Sequence, residues 1–131
     1  MRGSADRVPT IPPQENQPRP TWRFSGVDRG GPFRWPKDTI DELAILQKLH
    51  EFDSMNWSEI EGGKHHTIEV GKLSKAARAR LAEIRRDDAP ALFSFRCNGK
   101  ERIFGIRLGG VVHLLWWDPQ HAVCPAPLKG T

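Results

Sequence analysis

Two short turn signals in the last forty residues constrain the fold of this chain more than any other feature. Asn98-Gly99 separates two runs in which apolar and polar residues alternate, and Gly109-Gly110 separates the second run from a third. Loops of this composition join antiparallel strands, because asparagine and glycine tolerate the positive φ angles that two-residue turns require. The sequence therefore predicts a three-stranded antiparallel meander over residues 91–97, 100–108 and 111–117.

The same two turns predict which side chains share a face of the meander. With two residues in each loop, Arg102 and Trp117 lie on one, more apolar face, which we expect helices to cover. Arg96 and Arg107 rise from the second, mixed face beside Trp116. Because adjacent residues of a strand point to opposite faces, at most one of the two tryptophans is expected in the core. The other is expected to be exposed, or to stack on a base or on the N-terminal segment.

Helical signals precede the meander. Asp38 is a good N-cap for a helix over 38–53, which carries five acidic residues and one lysine. Asn56 opens a capping box for a short second helix. Residues 65–70 have the composition of a strand, and the apolar spacing predicts a third, amphipathic helix over roughly 75–86. The face opposite its apolar stripe concentrates positive charge on Lys72, Lys75, Arg78, Arg85 and Arg86. The predicted fold class is α+β, with a small antiparallel sheet packed on helices.

The positive charge of the chain is concentrated at its N-terminal end. The sequence has 20 Lys and Arg against 16 Asp and Glu, a formal net charge of +4. All of this surplus falls in residues 1–37, a proline-rich segment, whereas residues 38–131 are neutral overall. We expect residues 1–37 to form an extended basic arm without its own core, and residues 38–131 to form a single domain. The arm is either a solvated leader or a segment that lies along nucleic acid, and its aromatic residues could also pack back onto the domain.

Composition excludes several classes of protein. No apolar run approaches the ~18 residues of a membrane span, and no apolar segment follows residues 1–4, so neither a membrane protein nor a secretory signal is expected. Two cysteines are too few for a disulfide scaffold. His121 and Cys124 form only half of a metal-binding motif, and no second ligand pair has matching spacing. We therefore expect a cytoplasmic protein without a metal or other cofactor.

The order strand, basic helix and three-stranded meander resembles the RelE/ParE superfamily of bacterial toxin-antitoxin systems. The resemblance covers roughly residues 64–125. It rests on residues 73–81 as the helix after the first strand, and on residues 100–107 as the central strand. It rests also on residues 118–123, which are similar to the ending of RelE- and YoeB-like members.

This resemblance implies a metal-independent endoribonuclease that cuts mRNA at the ribosome, and an antitoxin as protein partner. The reaction is attack of a ribose 2′-OH on the adjacent phosphate, which requires proton transfer and stabilisation of extra negative charge. By resemblance, Arg102 holds the phosphate and His121 exchanges protons, while Lys100 and Arg96 supply further charge. Further contacts to RNA are expected from Arg107, Trp116 and Trp117, from the basic side chains of the third helix, and from Arg19, Arg23, Arg29 and Arg34 of the arm.

Two other functions fit the sequence. The first is a non-catalytic RNA- or ribosome-binding protein, because the chain has no tyrosine, whereas several nucleases of the family use one near the C-terminus. The second is a protein-binding module in which helix 38–53 or the basic arm meets a partner such as an antitoxin. Single residues also have structural alternatives: Arg102 as the ion-pair partner of an acid such as Asp118, and His121 as an ordinary turn residue.

Overall fold

The computed structural model describes residues 18–125 and shows an α+β fold built on one five-stranded sheet. In chain order the elements are β1 (Thr21–Arg23), α1 (Thr39–Asp53), α2 (Trp57–Glu61), β2 (His66–Glu69), α3 (Lys75–Glu83), β3 (Ala91–Arg96), β4 (Arg102–Leu108) and β5 (Val111–Asp118). The strands lie in the order β1-β5-β4-β3-β2. The predicted meander is present as β3, β4 and β5, and β2 pairs antiparallel with β3. The sheet is mixed rather than wholly antiparallel, because β1 pairs parallel with β5.

The helices begin at the predicted caps. The Asp38 carboxylate accepts from Asp41 N at 2.8 Å at the start of α1. Asn56 and Glu59 form the reciprocal capping box of α2, with hydrogen bonds of 2.9 and 3.0 Å. Each of these bonds satisfies a backbone N–H that has no partner inside the helix. In the described part of the chain, no helix has the length and apolar character needed to span a membrane.

The third helix ends three residues earlier than predicted. Arg85 has a φ of 60°, Arg85 N donates to Ala82 O, and Arg86 N donates to Leu81 O. This pair of hydrogen bonds is the Schellman motif, in which the residue after the C-cap adopts a left-handed conformation. Arg85 and Arg86 therefore lie beyond the last turn of α3 rather than on its basic face.

The loop between β3 and β4 is longer than the predicted two-residue turn. Arg96 pairs with Arg102, whereas a two-residue loop would have placed Phe95 opposite Arg102. A type I′ turn needs positive φ at both central residues, but only Gly99 has one, at 57°, and Asn98 does not. The pairing is therefore shifted by one residue, which moves every side chain of β4 to the other face relative to the prediction.

The loop between β4 and β5 has two residues as predicted, and Leu108 pairs with Val111 beside it. A bulge at Phe104/Gly105 then shifts the pairing by one residue, so that Arg102 lies opposite Asp118. Glycine is required in this bulge because a Cβ at position 105 would lie only 2.6 Å from Cγ1 of Val112. The loop at residues 97–101 and the bulge together decide which polar side chains share a face.

Both faces of the sheet are covered, which corrects the expectation of one buried and one mixed face. The first core joins α1 and α2 to the sheet through Trp35, Ile45, Leu49, Phe52, Trp57, Ile60, Phe93, Phe95, Ile103, Val112, Leu114 and Trp117. The second core joins α3 to the opposite face through Phe33, Leu73, Ala77, Leu81, Leu92, Phe104, Leu115, Trp116 and Val123. Trp116 and Trp117 are therefore both buried, at 0% and 5% exposure. Neither indole is available to stack on a base.

Residues 18–37 belong to the folded domain, which corrects the expected domain boundary at residue 38. Thr21–Arg23 forms β1, and Phe33 and Trp35 are buried in the two cores. Phe33 packs on Trp116 with 5.1 Å between the ring centroids. The indole of Trp116 therefore contacts the N-terminal segment, which is one of the alternatives that the sequence left open. Residues 1–17 of the predicted arm lie outside the described residues.

A buried carboxylate holds this segment against the sheet and α3. Asp28 accepts four hydrogen bonds, from Arg80 Nε at 2.9 Å, Arg80 Nη2 at 2.8 Å, Trp116 Nε1 at 2.9 Å and Gly30 N at 3.1 Å. Its own backbone N–H donates to Leu115 O. Burial by itself raises the pKa of Asp28, but the bonds from Arg80, Trp116 and Gly30 outweigh it and lower the pKa below its ordinary value.

We predict that Asp28→Ala destabilises the protein by about 3 kcal/mol, because it leaves Arg80 unpaired and the buried Trp116 N–H without an acceptor. Urea denaturation measures the change in the free energy of unfolding. The matched control is Glu83→Ala, which removes the exposed partner of Arg80 at 3.4 Å and should cost less than about 0.5 kcal/mol. Equal losses in the two variants would contradict a central role for Asp28.

The same carboxylate predicts a pH dependence. Its pKa is lower in the folded protein than in the unfolded chain, so its contribution is complete above about pH 4 and is lost as the pH falls through the folded value. The stability difference between wild type and Asp28→Ala should therefore shrink at acidic pH. A difference that stays constant down to pH 2 would refute this assignment.

Candidate anion-binding site

A cavity of about 310 Å³ lies at the end of the sheet where β3 and β5 finish and β4 begins, on the face that also carries α3. Its polar lining consists of Lys64, His66, Ser94, Arg96, Arg102, Asp118 and His121. Lys64, Arg96 and Arg102 carry three positive charges, and Asp118 carries one negative charge. The cavity therefore has a formal charge of +2 with both histidines neutral, which favours an anionic ligand.

The shifted register creates this site. Arg96 and Arg102 are direct cross-strand partners, whereas two-residue turns would have put them on opposite faces. Like charges directly opposite one another destabilise a sheet. Of the residues described, none forms an ion pair with either guanidinium. Arg102 Nη1 donates only to Gly99 O at 2.7 Å and Glu101 O at 2.9 Å.

Arg102 is a cation kept in an unfavourable environment. Burial, followed by the nearby charge of Arg96, lowers the pKa of Arg102, and Cys97 and Asp118 oppose this only in part. Because a guanidinium does not lose its proton in a protein, Arg102 stays charged beside Arg96, an arrangement that favours an added anion. Two guanidinium groups side by side match the oxygen atoms of a phosphate group.

Asp118 is a structural residue rather than the ion-pair partner of Arg102. It is only 1% exposed, and its two carboxylate oxygens accept from Ala122 N at 3.0 Å and Val123 N at 2.8 Å. These bonds hold residues 119–123 in a turn. Within the turn His121 has a φ of 58°, and its side chain lines the cavity. The carboxylate thus fixes the position of His121 through the backbone.

Three of the residues that the sequence singled out meet in this cavity: Arg96, Arg102 and His121. Lys100 is exposed in the β3–β4 loop and does not line it. Arg107 lies on the opposite face of the sheet, where it stacks over Trp57 at 3.6 Å and forms an ion pair with Glu61 at 2.6 Å. Arg107 is therefore a structural residue in this fold.

The other predicted RNA contacts are dispersed. Arg85 and Arg86 line a second cavity at the opposite end of the sheet, together with Arg107. Arg29 and Arg34 line a third cavity of about 660 Å³ beside Trp117. Lys72 forms an ion pair with Glu69, Lys75 is exposed, and Arg78 Nε donates to Leu73 O. Arg19 and Arg23 lie at β1, beside the first half of β5 and away from the cavity around Arg102.

Lys64 and His66 belong to the site but were absent from the sequence prediction. His66 reaches the cavity because β2 pairs with β3 and places His66 opposite Ser94. Alternation within β3 does put Ser94 and Arg96 on one face, but nothing in the sequence gives the register of β2 against β3. Across residues 18–125, no group of three or more His, Cys, Asp or Glu side chains is arranged to hold a metal ion.

Comparisons with known proteins give no assignment. The chain matches no protein-family profile, no curated protein and no solved structure. The cavity must therefore be interpreted from its own chemistry: paired cations, two imidazoles and a structural carboxylate.

We predict that Arg96→Gln makes the free protein more stable, by about 0.5 kcal/mol, because it relieves the repulsion between Arg96 and Arg102. The same substitution should abolish stabilisation by an anion. Thermal unfolding with and without inorganic phosphate measures both effects, with phosphate raising the Tm of the wild type but not of the variant.

The control for net charge is Arg23→Gln, an exposed substitution on β1. It should leave the response to phosphate intact. An Arg96→Gln variant that is less stable than the wild type, or that responds to phosphate as strongly, would contradict the assignment of an anion site.

Proposed function

We propose that this protein binds single-stranded RNA at the cavity around Arg96 and Arg102 and cleaves it as a metal-independent endoribonuclease of the RelE-like toxin type. The observation that supports this proposal is the meeting of two cross-strand arginines and two histidines in one cavity, although they come from four separate segments of the chain. The arginines provide charge for a phosphate, and the histidines provide imidazole groups for proton transfer.

The reaction requires a balanced proton transfer. The 2′-OH gives its proton to a neutral imidazole as the 2′-oxygen bonds to phosphorus, and the bond from phosphorus to the 5′-oxygen breaks as a protonated imidazole supplies a proton to that oxygen. The products are a 2′,3′-cyclic phosphate and a 5′-hydroxyl. Arg96 and Arg102 stabilise the extra negative charge of the transition state. His121 and His66 are the proposed proton carriers, and Lys64 adds attraction for the RNA backbone.

The size of the cavity supports a single strand as substrate. A volume of about 310 Å³ accommodates one phosphate with parts of its neighbours rather than a duplex. The third cavity, with Arg29 and Arg34, lies on the other side of the end of β5, where a longer strand would continue. The ribosome as the place of action and an antitoxin as partner rest on the sequence resemblance alone.

Non-catalytic RNA binding is the second candidate, and a specific observation favours it. Within the described part of the chain, neither His66 nor His121 has a hydrogen-bonded carboxylate that would orient its imidazole. The carboxylate of Asp118, which lines the cavity, accepts its hydrogen bonds from backbone N–H groups. A protein that binds a phosphate group without cleaving RNA needs the arginines but not the histidines.

Cleavage of a short single-stranded RNA in the presence of a metal chelator separates the two functions. The wild type should produce fragments with a cyclic phosphate, and a 2′-deoxy substitution at the cleaved nucleotide should block the reaction. His121→Ala should slow cleavage by about 100-fold or more, the usual contribution of a general acid or base, while RNA affinity stays within about threefold. Arg102→Gln should reduce both cleavage and affinity.

The matched control is Lys100→Ala, which removes a cation from the adjacent loop but not from the cavity. It should cleave at the wild-type rate. Binding without cleavage, unchanged by His121→Ala, would favour the non-catalytic function, and no binding by the wild type would overturn both.

A growth experiment tests the toxin character separately. Induced expression of the wild type in bacteria should stop growth, because cleaved mRNA cannot be translated to its end. Arg102→Gln should relieve the arrest at equal protein level, measured by immunoblot. Normal growth with abundant wild-type protein would count against a toxin.

A further inference from the structure

The outward face of α1 is apolar. Ile40, Leu43 and Leu46 are 80%, 54% and 46% exposed, whereas Ile45 and Leu49 of the same helix are buried against the sheet. A surface helix usually has polar and charged residues on the side away from the core. This helix is apolar on both sides.

The exposed stripe has a defined shape and border. At 100° per residue, the side chains of Thr39, Ile40, Leu43, Leu46, Gln47 and His50 fall within about 120° of one another, and none carries a permanent charge. Glu51 borders the stripe on one side, and Glu42 and Asp53 border it on the other. The strip that contains the leucines and isoleucine is thus bordered by Glu51, which pairs with Lys48 at 3.4 Å, on one side and by two carboxylates on the other. Contiguous exposed apolar surface of this kind marks an interaction site.

The charges indicate which partner fits. Two copies of the chain that met through α1 would bring carboxylates against carboxylates, so a symmetric dimer is electrostatically unfavourable. A helix with an apolar stripe flanked by lysine or arginine would bury Ile40, Leu43 and Leu46 and pair its cations with Glu42, Glu51 and Asp53. Helix-on-helix packing of this type uses apolar residues spaced three or four apart, and Ile40, Leu43 and Leu46 are spaced three apart.

We propose that the outward face of α1 is the docking surface for a basic amphipathic helix of a partner protein. Because α1 covers the face of the sheet opposite to the cavity around Arg102, a bound partner leaves that cavity open. The interaction therefore attaches the partner or contributes to an assembly, and it does not block the anion site. It does not depend on the proposed RNA cleavage.

The test uses a synthetic helical peptide with leucines at i, i+3, i+4 and i+7 and lysines on both flanks, with binding to the full chain measured by fluorescence polarisation. We expect saturable binding that weakens at high salt, at least tenfold weaker binding of the same peptide with glutamates in place of lysines, and at least tenfold loss in Leu43→Ser. Leu108→Ser removes another exposed leucine, 63% against 54% for Leu43, at the end of β4 and should bind normally.

Four results would overturn the proposal. They are no binding of the lysine peptide, equal affinity for the lysine and glutamate peptides, unchanged binding by Leu43→Ser, or self-association of the wild type in sedimentation analysis that Leu43→Ser abolishes. The last result would assign the surface to a second copy of the chain. Leu43 is more than half exposed, so its replacement by serine is compatible with folding, which circular dichroism verifies.

Discussion

The buried carboxylate of Asp28 is the interaction on which the arrangement of this fold depends. It joins three parts of the chain that are distant in sequence: the N-terminal segment, Arg80 of α3 and Trp116 of β5. Apart from it, α3 is held over its face of the sheet by apolar contacts and by the hydrogen bond that Ser74 N, at its N-cap, donates to Val123 O. The loop that follows Asp28 has to pass close to Arg80. Gly31, with a φ of 76°, occupies a place where any Cβ would collide with the Arg80 side chain.

Much of the secondary structure could be predicted from local patterns. The caps of α1 and α2, the strand β2 and the meander follow from side chains that act within a few residues of one another. Two local details could not be predicted. Asn98 does not adopt the positive φ that its type I′ signal suggested, and the β4–β5 pairing has a bulge at Phe104/Gly105 that alternation alone does not reveal. Each detail shifts the strand pairing by one residue. Because successive side chains of a strand point to opposite faces, a shift of one residue moves the side chains to the other face of the sheet.

That change of face explains why the candidate site was only partly predictable. The sequence singled out Arg96, Arg102 and His121, which do line one cavity, but placed Arg96 on the opposite face from Arg102 and beside Arg107. In the structure, Arg96 pairs with Arg102 across the strands. Arg107 instead stacks on Trp57 and forms an ion pair with Glu61. Lys64 and His66 could not have been found, because the pairing of β2 with β3 is a long-range contact. The prediction for residues 18–37 was also wrong. Their prolines suggested an extended arm, but Phe33 and Trp35 are buried in the core.

The parallel pairing of β1 with β5 has a consequence for how the chain folds. Within residues 18–125, β1 is the first strand to be synthesised, but its one neighbour in the sheet is β5, the last strand of that range. The carboxylate of Asp28 likewise meets Trp116 only after 88 further residues have been made. The growing chain therefore cannot complete the described sheet until β5 has been synthesised. Folding of this domain is dominated by contacts of long sequence separation and is correspondingly slow.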